Sequence, residues 1–193
     1  MKNIAVFCGA SSGNNPVYVA AAQAFGKLLA QQNINLVFGG GKVGLMGAVA
    51  DAVLVAGGQA IGVIPRNLVE REVAHPGLTV MHVVETMHER KALMAELVDG
   101  FVALPGGWGT FDEICEILTW NQLGILTKPC GFLNVNGFYN NFSQLFDTCV
   151  QEGFVGAERR DNVIWEVDGA VLLERFRNFR AIPTPKWMSL KQV

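Results

Sequence analysis

Residues 100–113 read GFVALPGGWGTFDE, and they decide how this chain folds. The apolar run Phe101-Val102-Ala103-Leu104 has the continuity of a strand covered on both faces. It empties into a turn holding Gly106, Gly107 and Gly109, and a helix begins at once with a carboxylate in its first turn. Glycines at such a joint let a ligand touch the backbone, and the unpaired N–H groups of the helix start suit an anion. Strand, glycine turn and helix make one βα unit, and the rest of the chain repeats it.

Short apolar runs at Ile4–Cys8, Leu36–Phe38, Ala60–Ile64, Thr79–Val84, Phe101–Leu104 and Gly131–Val135 read as strands. Segments of helical period lie between them, near 15–32, 44–57, 87–98, 111–125 and 138–152. A last strand near Asn162–Trp165 and a helix from about Gly169 to Phe179 complete the series. Continuous rather than alternating apolar strands predict a parallel sheet. With right-handed crossovers the expected fold is α/β: a Rossmann-like, doubly wound parallel sheet with helices on both faces. Residues 1–180 read as a single domain, and 181–193, with Pro183, Pro185 and Trp187, as a C-terminal arm.

Length and composition narrow the function. A chain of 193 residues supports one well-cored domain, and 50% hydrophobic against 17% charged residues requires most apolar side chains to be buried between elements. A net charge of −2 without a Lys/Arg cluster argues against a nucleic-acid partner. Cys8, Cys115, Cys130 and Cys149 form no CxxC pair and have no His at metal spacing, so no metal site is expected. They read as free thiols of a reducing compartment. No apolar run approaches the roughly 20 residues of a membrane span, and the N-terminus lacks a signal-peptide layout. The expectation is a cytoplasmic protein with no membrane partner.

In doubly wound sheets ligands bind beyond the carboxyl ends of the strands. Four strand ends here are chemically unusual: CGASSG (Cys8–Gly13), GGGKVGLMG (Gly39–Gly47), Pro65 onward, and the PGGWGT turn. All would open on the same edge. Gly39, Gly41 and Gly44 match G-x-G-x-x-G, but the acid expected about 20 residues on is missing, since that strand ends Val63-Ile64-Pro65. A phosphate or sugar cradle, including Gly40 and Gly41, is favoured over NAD. Ser11, Ser12 and Gly13 either serve the same ligand or cap the first helix.

Thr110 and Glu113 have capping-box spacing, which makes Glu113 either a cap or a site carboxylate. Glu116 lies one turn on, so both carboxylates can face the mouth together. Asp112 reads as a solvated first-turn acid. Thr86 and Glu89 repeat the box, which puts Arg90 and Lys91 in the opening turns of a helix, where cations are disfavoured. They are either a surface pair neutralised by Glu89 or a charged fork for a phosphate. Trp108 either packs or covers a ligand.

Taken together, CGASSG, GGGKVGLMG, MHERK (Met87–Lys91) followed by Met94, and PGGWGTFDE closely resemble the Lonely Guy (LOG) family of cytokinin riboside 5′-monophosphate phosphoribohydrolases. The likeness runs from about Asn3 to Asn162 and takes in Glu72, Thr119-Trp120 and Lys128-Pro129. It implies hydrolysis of the N-glycosidic bond of a nucleoside 5′-monophosphate, a cytokinin riboside 5′-monophosphate, AMP or both, to free base and ribose 5-phosphate. The family's essential pair falls on Arg90 and Glu113. Its substrate contacts fall on Glu72, Lys91, Gly106, Gly107, Trp108, Gly109, Thr110, Asp112 and Thr119. The resemblance also implies a homodimer or larger homo-oligomer and no metal or organic cofactor. Trp108 stands where Tyr is commoner, and Asp112 where Glu is commoner. The family's older label, lysine decarboxylase, finds no Schiff-base lysine set here. Molybdenum cofactor carrier proteins share the fold and give the alternative, a binding protein without hydrolase activity; Arg90 with Glu113 favours the enzyme.

Overall fold

The computed structural model describes residues 1–69 and 74–183. Strands β1 (Asn3–Phe7), β2 (Asn35–Phe38), β3 (Ala60–Pro65), β4 (Val80–Val84), β5 (Gly100–Ala103), β6 (Cys130–Leu133) and β7 (Ile164–Glu166) form one sheet. Helices α1 (Val17–Gln31), α2 (Gly44–Val55), α3 (Arg66–Val69), α4 (Met87–Leu97), α5 (Trp108–Gln122), α6 (Asn140–Gln151), α7 (Ala157–Asp161) and α8 (Gly169–Arg177) connect them. The sheet order is β4-β3-β2-β1-β5-β6-β7, and each neighbouring pair runs parallel.

Winding proceeds outward from β1 through β2, β3 and β4, then returns to place β5 on the other side of β1. The reversal opens a crevice between the carboxyl ends of β1 and β5, where doubly wound folds bind ligands. CGASSG and PGGWGT are the two loops that leave those ends.

Alternate residues of the central strands enter opposite cores. Ile4 and Val6 pack beneath α1, α2 and α8, whereas Ala5 and Phe7 pack beneath α4, α5 and α6. The sheet is therefore covered on both faces, as its unbroken apolar strands require. The expected strands and long helices are present, with ends moved by up to three residues; the short α3 and α7 were not foreseen. The largest shift is at α5, which starts at Trp108 instead of 111, because Gly107 is its N-cap. Of the expected arm, 181–183 is described and 184–193 lies outside the described residues, as does Glu72.

Candidate active site

A cavity of about 660 Å³ opens at the β1/β5 crevice. Its lining comes from Cys8–Gly13, from Gly39, Gly41, Val43, Leu45 and Met46, from Ile64 and Leu68, and from Arg90, Pro105–Thr110 and Glu113. Thus all four strand-end loops named from sequence meet there. Tyr18 and Phe138 add an aromatic corner, packed edge to face with ring centroids 5.8 Å apart. Neither was marked by any sequence pattern.

The glycine turn divides into structural and open positions. A Cβ on Gly106 would stand 2.1 Å from Thr110 Oγ1 and 2.9 Å from the Gly9 nitrogen, so the fold itself requires glycine. A Cβ on Gly107 or Gly109 would meet nothing within 4 Å. Those two leave the start of α5 bare toward the cavity. No side chain caps this helix, and its first N–H groups are placed as an anion site. Trp108, between them, is 89% exposed and packs edge-on against Phe111.

Glu113 is not a cap. The capping-box reading required Thr110 to precede the helix, but Thr110 is its third residue and is buried. Glu113 instead projects from the second turn, 8% exposed, with Oε1 2.8 Å from Arg90 Nη1. Burial raises the Glu113 carboxyl above its ordinary value; Arg90 opposes the shift and Asp112 adds to it. Cys8 lies in the same cavity, and burial, with help from Glu113, pushes its thiol up.

Arg90 reaches Glu113 from the opening of α4. Thr86 caps that helix by accepting from Glu89 N–H at 3.1 Å, as expected, but Glu89 Oε2 accepts from Glu85 N–H, one residue beyond the box. Glu89 is therefore occupied at the cap and does not neutralise a surface arginine. Arg90 turns inward, is 8% exposed, and donates from Nε to the Val63 carbonyl at 3.0 Å. A Cβ on Gly39 would stand 2.1 Å from Arg90 Nη2, so this glycine is the socket that admits the guanidinium. The cation's locally unfavourable place near a helix start is compensated by this buried seat.

Lys91 diverges from its neighbour, because successive helix residues point about 100° apart. Its Nζ lies 2.8 Å from Glu116 and 3.3 Å from Asp112, outside the cavity lining. Burial lowers the Lys91 ammonium, and the two carboxylates outweigh this and raise it. The expectation that Glu113 and Glu116 face the mouth together is corrected: Glu116 faces Lys91 instead. Thr119 donates to the Cys115 carbonyl at 2.9 Å and lines a separate cavity of about 200 Å³ behind α5. Gly40 is buried with φ +74° and approaches Ile64 beside the site. Ser11 and Ser12 line the cavity and do not cap α1, whose first N–H, at Val17, is received by Asn15. Sequence reading missed Gly39 as a socket and Val63 as an acceptor, since neither role shows in a pattern along the chain.

Comparison with known proteins identifies the family. Residues 46–175 match a family model described as "Possible lysine decarboxylase". A cytokinin riboside 5′-monophosphate phosphoribohydrolase of Arabidopsis thaliana is 44% identical over 178 residues, covering 92% of this chain and 84% of that protein. One from Rhodococcoides fascians is 46% identical over 173 residues, covering 88% and 87%. Among solved structures, a molybdenum cofactor carrier protein of Chlamydomonas reinhardtii superposes with a TM-score of 0.68 at 20% identity, covering 92% of this chain and 96% of that one. At that identity the likeness speaks for the fold alone. The family model over residues 46–175 and the relatives matched along most of their length place this chain in the Lonely Guy family of phosphoribohydrolases.

Proposed function

We propose that the protein hydrolyses the N-glycosidic bond of nucleoside 5′-monophosphates, releasing the free base and ribose 5-phosphate. The observation that carries this reading is the buried Glu113 carboxylate, held by Arg90 in a cavity whose neighbouring wall is a bare helix N-terminus. Cleavage of the C1′–N bond sends the bonding pair to the base and leaves positive charge on the ribose. Glu113 opposes that charge, and a water oxygen bonds to C1′ while its proton goes to the departing base. Arg90 fixes the carboxylate through one oxygen. The 5′-phosphate fits the open N–H groups around Gly107 and Gly109.

The same cavity is lined by the apolar side chains of Val43, Leu45, Met46, Ile64 and Leu68. This lining suits the base and favours one bearing an apolar substituent over AMP; the relatives are named for cytokinin riboside 5′-monophosphates. We place Arg90 and Glu113 in the chemistry and Gly106–Thr110, Gly41 and Ser12 at the substrate. Lys91, Asp112, Thr119 and Glu72 remain substrate contacts by resemblance alone, and Gly40 remains part of the proposed cradle by its place in the glycine-rich loop.

A homodimer is the proposed assembly. The stretch Ile114–Leu126, with Trp120, Leu123 and Ile125, reads along the chain as more apolar surface than one helix face needs against its own sheet, yet Trp120 is only 5% exposed within its own protomer. The edge strand β4 argues better, with Val80, Met81 and Val83 all exposed. Sedimentation of a lone 20.9 kDa species at micromolar concentration would refute the dimer.

The test of function is free base released from AMP, an N6-isoprenylated AMP and their nucleosides. Monophosphates should be cleaved far better, because binding energy at the remote phosphate acts on the reacting bond. Equal kcat/KM for nucleotide and nucleoside, or binding without cleavage as in a carrier, would overturn the proposal.

A further inference from the structure

Tyr139 lies outside the cavity lining, yet its phenol reaches the root of the glycine turn. The side chain is 0% exposed, and Oη donates to the Leu104 carbonyl at 2.6 Å. Pairing between β5 and β6 ends at Ala103↔Phe132, so Leu104 is the first residue past that ladder. The next carbonyl, Pro105, accepts from Gly9 N–H at 3.0 Å. Two successive carbonyls at the entry of the turn are thus held, one by Tyr139 and one by the loop after β1. Peptide groups are planar, so fixing these carbonyls fixes the two planes that carry the chain through Pro105 into Gly106.

Tyr139 is itself strongly placed. Asn134 Oδ1 accepts its backbone N–H at 2.7 Å, and Phe132, Phe138 and Phe111 pack edge to face on its ring. Burial pushes the phenol far above its ordinary range, so Oη stays a donor at any working pH.

We propose that Tyr139 is a positioning residue for the phosphate end of the site: its hydroxyl holds the Leu104 carbonyl and thereby aims the Pro105–Gly109 turn at the 5′-phosphate. The inference rests on the hydrolase reading for its substrate, but it also stands on binding of the phosphorylated sugar. Removing the hydroxyl leaves a buried acceptor unpaired, and the turn relaxes to satisfy it.

The test compares the full chain with Tyr139→Phe, which keeps the ring and its packing. The readouts are kcat and KM on a nucleoside 5′-monophosphate and on its nucleoside, and the Kd of ribose 5-phosphate by calorimetry. The expected result is a fall of about tenfold in kcat/KM for the monophosphate and a matching rise in the ribose 5-phosphate Kd. Cleavage of the nucleoside should stay unchanged. Phe142→Leu, which thins the same aromatic cluster, should lower Tm and leave the nucleotide-to-nucleoside ratio intact. Asn134→Ala, which frees the Tyr139 backbone, should reproduce the selective loss in milder form.

Equal losses on both substrates would reduce Tyr139 to general support and overturn the proposal, as would an unchanged ratio and Kd. Should the wild-type chain cleave neither substrate, the hydrolase reading fails. The ribose 5-phosphate Kd of Tyr139→Phe against wild type then decides the inference alone, and a wild type without affinity for ribose 5-phosphate refutes it.

Discussion

Glu113→Gln tests the centre of the reasoning. The substitution preserves shape, and Gln Oε1 can still accept from Arg90 Nη1, which now stands 2.8 Å from the carboxylate. What disappears is the negative charge beneath the ribose. A lost electrostatic stabiliser costs about 2.7–4 kcal/mol, or 10²–10³ in kcat. Stability should suffer less. Arg90 loses its counter-charge in a buried place but keeps its bond to the Val63 carbonyl at 3.0 Å. We expect about 1–3 kcal/mol, in contrast with the ~3–5 kcal/mol of breaking a buried pair outright, as Glu113→Leu would. Release of free base, assayed well below the Tm of both proteins, separates chemistry from folding. The pH dependence gives a second signature. Burial raises the Glu113 carboxyl above its ordinary 4.5, and only the ionised form opposes a cation. Activity should therefore fall as pH drops through a value above 4.5, and this limb of the kcat/KM profile should vanish in Glu113→Gln. If Glu113→Gln keeps most of its kcat on its best nucleotide, the charge is not used and the mechanism is wrong.

Two other substitutions probe how the pair is held. Gly39→Ala places a Cβ 2.1 Å from Arg90 Nη2, and the side chain must leave its seat. Its kcat/KM should drop about 10²-fold, the scale of a displacement near 1 Å, with the circular dichroism spectrum unchanged; normal activity would show that Arg90 need not sit there. Lys128 Nζ donates to the Ala95 and Val98 carbonyls at 2.7 and 2.6 Å, fastening the end of the helix that carries Arg90. Lys128→Met should cost about 1–3 kcal/mol and lower Tm by roughly 2–4 °C per kcal/mol, measured by calorimetry. An unchanged Tm would mean that relief of the half-buried ammonium offsets both bonds.

Much of the molecule was legible along the chain. Continuous apolar runs such as Phe101–Leu104 announce a doubly covered parallel sheet, because backbone hydrogen bonding sets the period of each element before any long-range contact forms. Strand-end loops rich in glycine mark the binding edge for the same reason, since parallel strands deliver every carboxyl end to one side. What the sequence could not decide were choices between two locally valid readings. Thr110 and Glu113 satisfy a capping box as written; only the entry of the chain at Gly107 puts Thr110 inside the helix and turns Glu113 toward Arg90. Arg90 and Lys91 look alike as neighbours, and they part because one faces the sheet end with its Gly39 socket and the other faces α5. Trp120 looks like spare apolar surface until the protomer's own core receives it. Local order follows from the backbone's period, whereas the partner of each side chain depends on how α4 and α5 are set against β1, β3 and β5. That placement is fixed by packing across the sheet, between residues far apart in the chain.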